Sequence, residues 1–158
     1  LFGASGAVRT SAVQLPRHLG AEVTGVCSTS NVDLVASLGA TTVIDYTSAD
    51  FVAKAGACDV VFDTVGGDVH ARSFDVLKPG GRLVYIAAKP VAAATRSDVT
   101  LTAARVVPTT ARLAVLLQWA AERRVKPQVG QTFPLSEARA AYERSQSGHA
   151  RGKIVLFS

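Results

Sequence analysis

Two glycines near the start of the chain have the spacing of a turn that could hold a phosphate group. Gly3 and Gly6 come just before a segment with helical periodicity. Glycines at a strand-to-helix turn let the backbone approach a pyrophosphate, whose charge is met by the free N–H groups of the helix N-terminus. A tight turn without a ligand is the alternative. The candidate binding residues of this turn are Gly3, Ser5, Gly6, Ala7 and Val8.

A second candidate site is an uncharged polar run after the next predicted strand. An NAD site usually has Asp or Glu at this position to bind the ribose hydroxyls, whereas residues 27–31 read Cys-Ser-Thr-Ser-Asn. Hydroxyl and amide groups can donate hydrogen bonds to a phosphate. The run therefore predicts NADPH in preference to NAD, and its side chains could also cap the following helix. The candidate residues are Ser28, Thr29, Ser30 and Asn31.

Two further candidates follow the fourth predicted strand, residues 59–62, which is apolar on both faces as a buried parallel strand should be. Val65 and Gly66 come just after this strand, where strand ends line the crevice of an open α/β sheet. Asp63 could be a catalytic carboxylate, but we find no partner acid or histidine near it in the sequence and expect a structural role.

Other reactive side chains do not form a recognisable site. Tyr85 and Lys89 have the spacing of a catalytic pair that needs a helix, but Tyr85 lies in an apolar strand pattern and Pro90 opposes a helix. We therefore expect the match to be accidental, and no catalytic residue can be named. The histidines are expected at the surface or at helix ends, the cysteines as buried free thiols, and no metal site is predicted. These residues are His18, His70, His149, Cys27 and Cys58.

Strand-length apolar runs alternate with helical segments, which is typical of a parallel sheet with crossover helices. We predict strands at residues 22–27, 42–44, 59–62, 82–87, 100–107 and 153–157, after a stub at residues 1–3. Helices are predicted at residues 7–19, 32–38, 49–54, 69–77 and 110–124, with a last helix capped by Ser136. Pro16 should disturb the first helix, and the fifth should bury Leu113, Leu116, Leu117 and Ala120.

Six strings in order carry a resemblance that covers essentially the whole chain. They are GASGAVRTSAVQL, HLGAEVTGVCSTSN, SLGATTVIDYTSADF, DVVFDTVGG, LKPGGRLV and TFPLSEARAAYERSQSGHARGKIVL. In these strings the chain resembles the zinc-independent quinone-oxidoreductase branch of the medium-chain dehydrogenases, within the zinc-binding dehydrogenase family.

The resemblance implies an α/β fold with a Rossmann-type doubly wound parallel sheet, here truncated at its N-terminus. It implies an NADP-binding domain at residues 1–129 and a segment, 130–158, that returns to a catalytic domain not included in the chain. It adds Tyr46 as a neighbour of the 2′-phosphate, and places Arg9 where the family's third glycine packs against the sheet. The expected function is NADPH-dependent reduction of a quinone, enone or carbonyl compound, or an alcohol-dehydrogenase-like reaction, with no steady turnover from this chain alone.

Composition and charge favour a soluble, cytoplasmic protein with a small-molecule substrate. The net charge of +5 comes from scattered residues, and the one basic cluster, Arg123, Arg124 and Lys126, fits a solvated helix end. Neither a nucleic-acid partner nor a membrane is expected, and a homodimer is compatible with the sequence. Two alternatives stay open: a non-catalytic remnant or binding module of the family, and, more distantly, an S-adenosylmethionine-dependent methyltransferase.

Overall fold

The computed structural model describes residues 1–2, 8–86, 96–105, 107–147 and 152–158, without the side chain of Arg9. The glycine turn at residues 3–7, Lys89 and His149 lie outside these ranges. The helices are α1 (Arg9–His18), α2 (Val32–Ser37), α3 (Phe51–Ala55), α4 (Asp68–Arg72), α5 (Thr110–Ala121) and α6 (Ala138–Gln146). The strands are β1 (Thr24–Cys27), β2 (Thr42–Asp45), β3 (Cys58–Asp63), β4 (Leu77–Tyr85), β5 (Thr100–Ala103), β6 (Val129–Pro134) and β7 (Lys153–Phe157). No helix within the described ranges is both long enough and apolar enough to cross a membrane.

The strands form parallel sheets joined by the first two residues of the chain. β1 pairs with β2, and β3, β4 and β5 form a second parallel group. Between them, Phe2 bridges in parallel to Val26, and its N–H donates to the Phe62 carbonyl over 3.3 Å. The order is therefore β2, β1, residues 1–2, β3, β4, β5, which confirms the predicted Rossmann-type fold.

The core lies where the two groups of strands meet. The Phe2 ring packs edge-on against Phe51 with centroids 4.5 Å apart. Buried apolar residues from both groups form this cluster: Phe2, Val26, Ile44, Phe51, Val61, Phe74, Val76, Leu77 and Leu83. Burial of apolar side chains is the main favourable term in folding, so this cluster holds the strand ends in register.

The chain between α4 and β4 differs from the prediction of a helix over residues 69–77. The α-helix ends at Arg72, and a 3₁₀ turn, Ser73–Val76, leads directly into β4 at Leu77. The Ser73 hydroxyl donates to the Val69 carbonyl over 2.6 Å, a side-chain bond that competes with a regular helix. We predicted that residues 78–81 separate the helix from the strand. They instead form an irregularity inside β4, where Gly80 has a φ of 76°.

Three smaller predictions were also wrong. Ser136 lies inside a 3₁₀ turn, Leu135–Glu137, and the residue before α6 is Glu137, without a side-chain cap. β5 ends at Ala103, four residues before the predicted end. β3 is not buried on both faces, because Val60 is 57% exposed.

Helix α5 forms as predicted, but its apolar face is not covered by the described residues. Leu113, Leu116 and Leu117 are 46% to 62% exposed, and none of the helix residues is buried. Its C-terminal end lies against α1, where Trp119 is 6.0 Å from His18 between ring centroids. The Gln14 side chain fixes the following segment, because it accepts from the Lys126 N–H over 2.8 Å and donates to the Lys126 carbonyl over 3.1 Å.

The last part of the chain forms a βαβ unit of its own. β6 and β7 pair in parallel and are connected through α6. A Cβ atom on Gly152 would clash with the Gln128 carbonyl oxygen, and this glycine has a φ of 72°. The approach of β7 to the start of β6 therefore requires glycine at this position.

Candidate functional site

The candidate residues after β1, β2 and β3 lie at one edge of the sheet. β1 and β2 run parallel to residues 1–2. On the other side Phe2 donates to the Phe62 carbonyl and accepts from the Thr64 hydroxyl, the two-residue offset expected of a parallel neighbour, so the carboxyl ends of the three strands point in the same direction. Ser28 follows β1, Tyr46 follows β2 and Val65 follows β3. In open α/β sheets, ligands bind in the crevice outside these carboxyl ends. The glycine turn follows Phe2 in the sequence, and residues 3–7 are outside the described part of the chain.

The turn after β1 is a cluster of hydroxyl and amide groups, with Thr29–Asn31 in a 3₁₀ turn. The Asn31 amide donates to Ser28 Oγ over 2.8 Å, and Ser28 Oγ is 3.5 Å from Ser30 Oγ. Asn31 Oδ1 is buried and accepts no hydrogen bond from the described residues. The alternative capping role is not seen, because neither Ser28 nor Asn31 makes a side-chain cap. An acceptor buried in this way suits a ligand hydroxyl.

Asp45, at the end of β2, is a residue of this site that the sequence analysis missed. Its Oδ2 accepts from the Thr29 hydroxyl over 2.6 Å, and its Oδ1 accepts from the N–H and hydroxyl of Thr47 over 2.9 and 2.7 Å. These bonds, that from Thr29 above all, hold the pKa of the Asp45 carboxyl below its usual value of 3.8. A carboxylate therefore lies beside a turn whose own sequence is uncharged. The signal that could have found it is the parallel register that sets Cys27 against Asp45.

Two neighbours of Asp45 complete this part of the edge. The Tyr46 N–H donates to the Cys27 carbonyl over 3.1 Å, and the Tyr46 side chain is 58% exposed. The thiol of Cys27 is buried, as predicted, and burial together with the charge of Asp45 raises its pKa. Cys27 is thus kept as a neutral thiol, while the Tyr46 ring can contact a ligand.

Asp63 has a partner that the sequence analysis excluded. His70, in α4, is 1% exposed, and its Nδ1 lies 2.8 Å from Asp63 Oδ2. The predicted surface or capping role of His70 was therefore wrong, and so was the absence of a partner for Asp63. The His70 ring packs edge-on against Phe74 and Tyr85, with centroid distances of 5.8 and 5.2 Å. The pair is hard to recognise in the sequence, because Asp63 ends a strand and His70 lies in the following helix, so no single period relates them.

Asp63 also organises the turn that follows β3. Its Oδ1 accepts from the backbone N–H groups of Val65 and Gly66, over 2.8 and 3.0 Å. The left-handed φ of 81° at Gly66 allows this tight turn. Both N–H groups are therefore occupied within the protein. What the turn offers to a ligand is the Val65 side chain, which is 48% exposed.

The structure does not bring the other reactive residues to this edge as a catalytic group. Tyr85 lies in a strand, as predicted, although the strand ends there and not at residue 87, and a strand lacks the helical spacing that a tyrosine and lysine pair would need. Both cysteines are free thiols, as expected. Cys58 was expected to be buried, but it is only half-buried. Within the described ranges, no group of three or more His, Cys, Asp or Glu side chains could hold a metal ion.

Comparisons with known proteins agree with the fold. The family model for zinc-binding dehydrogenases matches residues 38–156. The chloroplast envelope quinone oxidoreductase homolog of Arabidopsis thaliana is 31% identical over 97% of this chain and 50% of its own length. The NADPH-dependent alkenal/one oxidoreductase of the same plant is 31% identical over 99% of this chain and 39% of its own length.

Solved structures give the same result. The quinone oxidoreductase of Coxiella burnetii superposes with a TM-score of 0.88 and 30% identity, over 98% of this chain and 50% of that one. The chain thus spans about half the length of the curated quinone oxidoreductase relatives that it matches. With a parallel sheet of Rossmann order, polar residues at its carboxyl edge and this similarity along its length, the chain belongs to the zinc-binding dehydrogenase family, among relatives that are quinone oxidoreductases.

Proposed function

We propose that the chain is the cofactor-binding part of an NADPH-dependent oxidoreductase that acts on a quinone, an enone or another carbonyl compound. The observation that carries this proposal is the convergence of Ser28–Asn31, Tyr46 and Val65 at one carboxyl edge of a parallel sheet. The printed names of the relatives, which include quinone oxidoreductases and an NADPH-dependent alkenal/one oxidoreductase, support the reaction class.

The residues present fit a dinucleotide in chemical terms. The hydroxyl and amide groups of Ser28, Ser30 and Asn31 would hold the adenosine ribose and its 2′-phosphate, with the Tyr46 ring beside them. The backbone of the glycine turn would meet the pyrophosphate. Val65 would give an apolar contact to the cofactor at the end of β3. When bound, NADPH supplies the hydride, and the role of this chain is to bind and orient it.

Calorimetric titration of the chain with NADPH and NADH tests the proposal. We expect saturable binding of both, with the tighter binding for NADPH, because the turn at 28–31 has no carboxylate of its own. ATP serves as a control, since it shares the adenosine and the phosphates but not the 2′-phosphate. If neither dinucleotide binds, the proposal is refuted and the non-catalytic remnant is favoured. Equal affinities for the two dinucleotides would refute only the preference for NADPH.

A further inference from the structure

The carboxylate of Asp45 lies where it can act on whatever binds to the turn after β1. Asp45 Oδ2 is 2.6 Å from Thr29 Oγ1, and Thr29 is part of the predicted 2′-phosphate site. Each carboxylate oxygen has two acceptor positions, and Oδ2 accepts one bond from the described residues. One acceptor position on Oδ2 is therefore left for a further donor.

The hydrogen bonds around Asp45 also decide what Thr29 can do. A threonine hydroxyl has one proton, and the Thr29 hydroxyl donates it to Asp45. The Thr47 hydroxyl, 2.8 Å from Thr29 Oγ1, donates its own proton to Asp45 Oδ1. Thr29 then has no proton for a phosphate oxygen, although its oxygen can still accept one from a ribose hydroxyl.

We propose that Asp45 is a specificity-determining residue of the cofactor site, which opposes the 2′-phosphate of NADPH and favours the free ribose hydroxyls of NADH. This inference rests on the proposed function, and it extends that function by assigning the discrimination to a residue of the neighbouring strand. In this arrangement the polar turn after β1 favours NADPH, and Asp45 limits that preference.

The electrostatic effect is large enough to measure. Asp45 stays ionised at neutral pH, because its hydrogen bonds lower its pKa. A phosphate oxygen that touches Thr29 Oγ1 without a hydrogen bond, at about 3 Å, would lie about 5 Å from the carboxylate. At this separation a single charge changes the binding constant of a dianion by about tenfold in water, and screening by physiological salt reduces this to about threefold.

The test is calorimetric titration of NADPH and NADH into the chain, the D45N variant and a matched control, D59N. An amide at position 45 removes the charge and can donate to Thr29, which releases the Thr29 proton for a phosphate. Asp59 is 81% exposed, pairs with Lys78 near the start of β3, and so lies at the opposite end of the strands. Its substitution makes the same change in net charge away from the site.

We expect D45N to raise the ratio of the NADH to the NADPH dissociation constant by about three- to tenfold, with the larger value at low salt. D59N should leave the ratio within about twofold. T29V should lower the ratio of the NADH to the NADPH dissociation constant. Valine removes the hydroxyl that donates to the Asp45 carboxylate, so more of the negative charge acts on the 2′-phosphate.

The outcomes separate the two proposals. Binding of both dinucleotides with the same ratio in D45N and in the unchanged chain would overturn the inference and leave the proposed function in place. A ratio that rises equally in D59N would also overturn it, since the effect would then be one of net charge. Failure of the unchanged chain to bind either dinucleotide would overturn the proposed function and the inference with it.

Discussion

Replacing His70 with phenylalanine should destabilise the fold, because it leaves a buried carboxylate without its side-chain partner. Asp63 is 0% exposed and ionised Asp accepts hydrogen bonds only, so the Nδ1 atom of His70 must carry the proton of their 2.8 Å contact. Phenylalanine keeps the ring between Phe74 and Tyr85 but removes this donor. The two N–H groups of Val65 and Gly66 remain on Oδ1, and Oδ2 loses its partner.

The magnitude follows from the burial of both groups. A hydrogen bond to a charged group contributes about 1.5 to 3 kcal/mol, and breaking a buried pair from one side costs about 3 to 5 kcal/mol. The apolar ring offsets part of this loss, so we expect H70F to lower the free energy of unfolding by about 2 to 3 kcal/mol. Urea unfolding at neutral pH measures it. H18F, at an exposed histidine, should stay within about 0.5 kcal/mol of the unchanged chain.

A double-mutant cycle separates the lost pair from simple repacking. D63N should cost only about 1 to 2 kcal/mol, because an amide can still accept from the two N–H groups and can donate to Nδ1 of the other histidine tautomer. In the double variant no charge is left unpaired. The losses of unfolding free energy in H70F and D63N should therefore add up to about 1 to 2 kcal/mol more than the loss measured in the double variant. Additivity within about 0.5 kcal/mol would show that the contact between Asp63 and His70 does not stabilise the protein.

Three other predictions test the site and its surroundings. S28D places a carboxylate in the turn after β1 and should reverse the order of affinities, so that NADH binds more tightly than NADPH in the same titration; an unchanged order would place the 2′-phosphate elsewhere. R9G restores the glycine of the family pattern at the start of α1 and should tighten NADPH binding, whereas weaker binding would show that Arg9 is a ligand. Hydrogen bonds lower the pKa of Asp45 and Asp98 in the folded state, so their contribution to stability is complete above about pH 4 and is lost as the pH falls through the lower folded-state values. The thermal midpoint of D45N/D98N should therefore fall less steeply below pH 4 than that of the unchanged chain, and equal slopes would contradict this.

The alternation of strands and helices could be predicted because buried parallel strands are short apolar runs between turn residues. The same reasoning fails at α5 for a physical reason. Helical periodicity shows that Leu113, Leu116 and Leu117 share a face, but it does not show whether anything packs on that face. It fails again at Ser73, whose side-chain bond to Val69 ends the regular helix early.

The site could be predicted where its residues are close in sequence and missed where they are not. Ser28 and Asn31 form one turn, so the sequence alone shows that their polar groups lie together. The contact between Thr29 and Asp45 depends on the register of β1 against β2. That register follows from the packing of the whole sheet, and a reading of one strand at a time does not include it.

The docking of α5 against α1 has a consequence for spectroscopy. Trp119 is the only tryptophan of the chain, and it is half-buried beside His18. Because α5 buries none of its residues in the described part of the chain, it can separate from α1 at a lower free energy than the sheet needs to unfold. Tryptophan emission should then change before far-ultraviolet circular dichroism does, and the two probes would not give one common transition. A stability measured from emission alone would describe the release of one helix, and the unfolding of the parallel sheet has to be followed by circular dichroism.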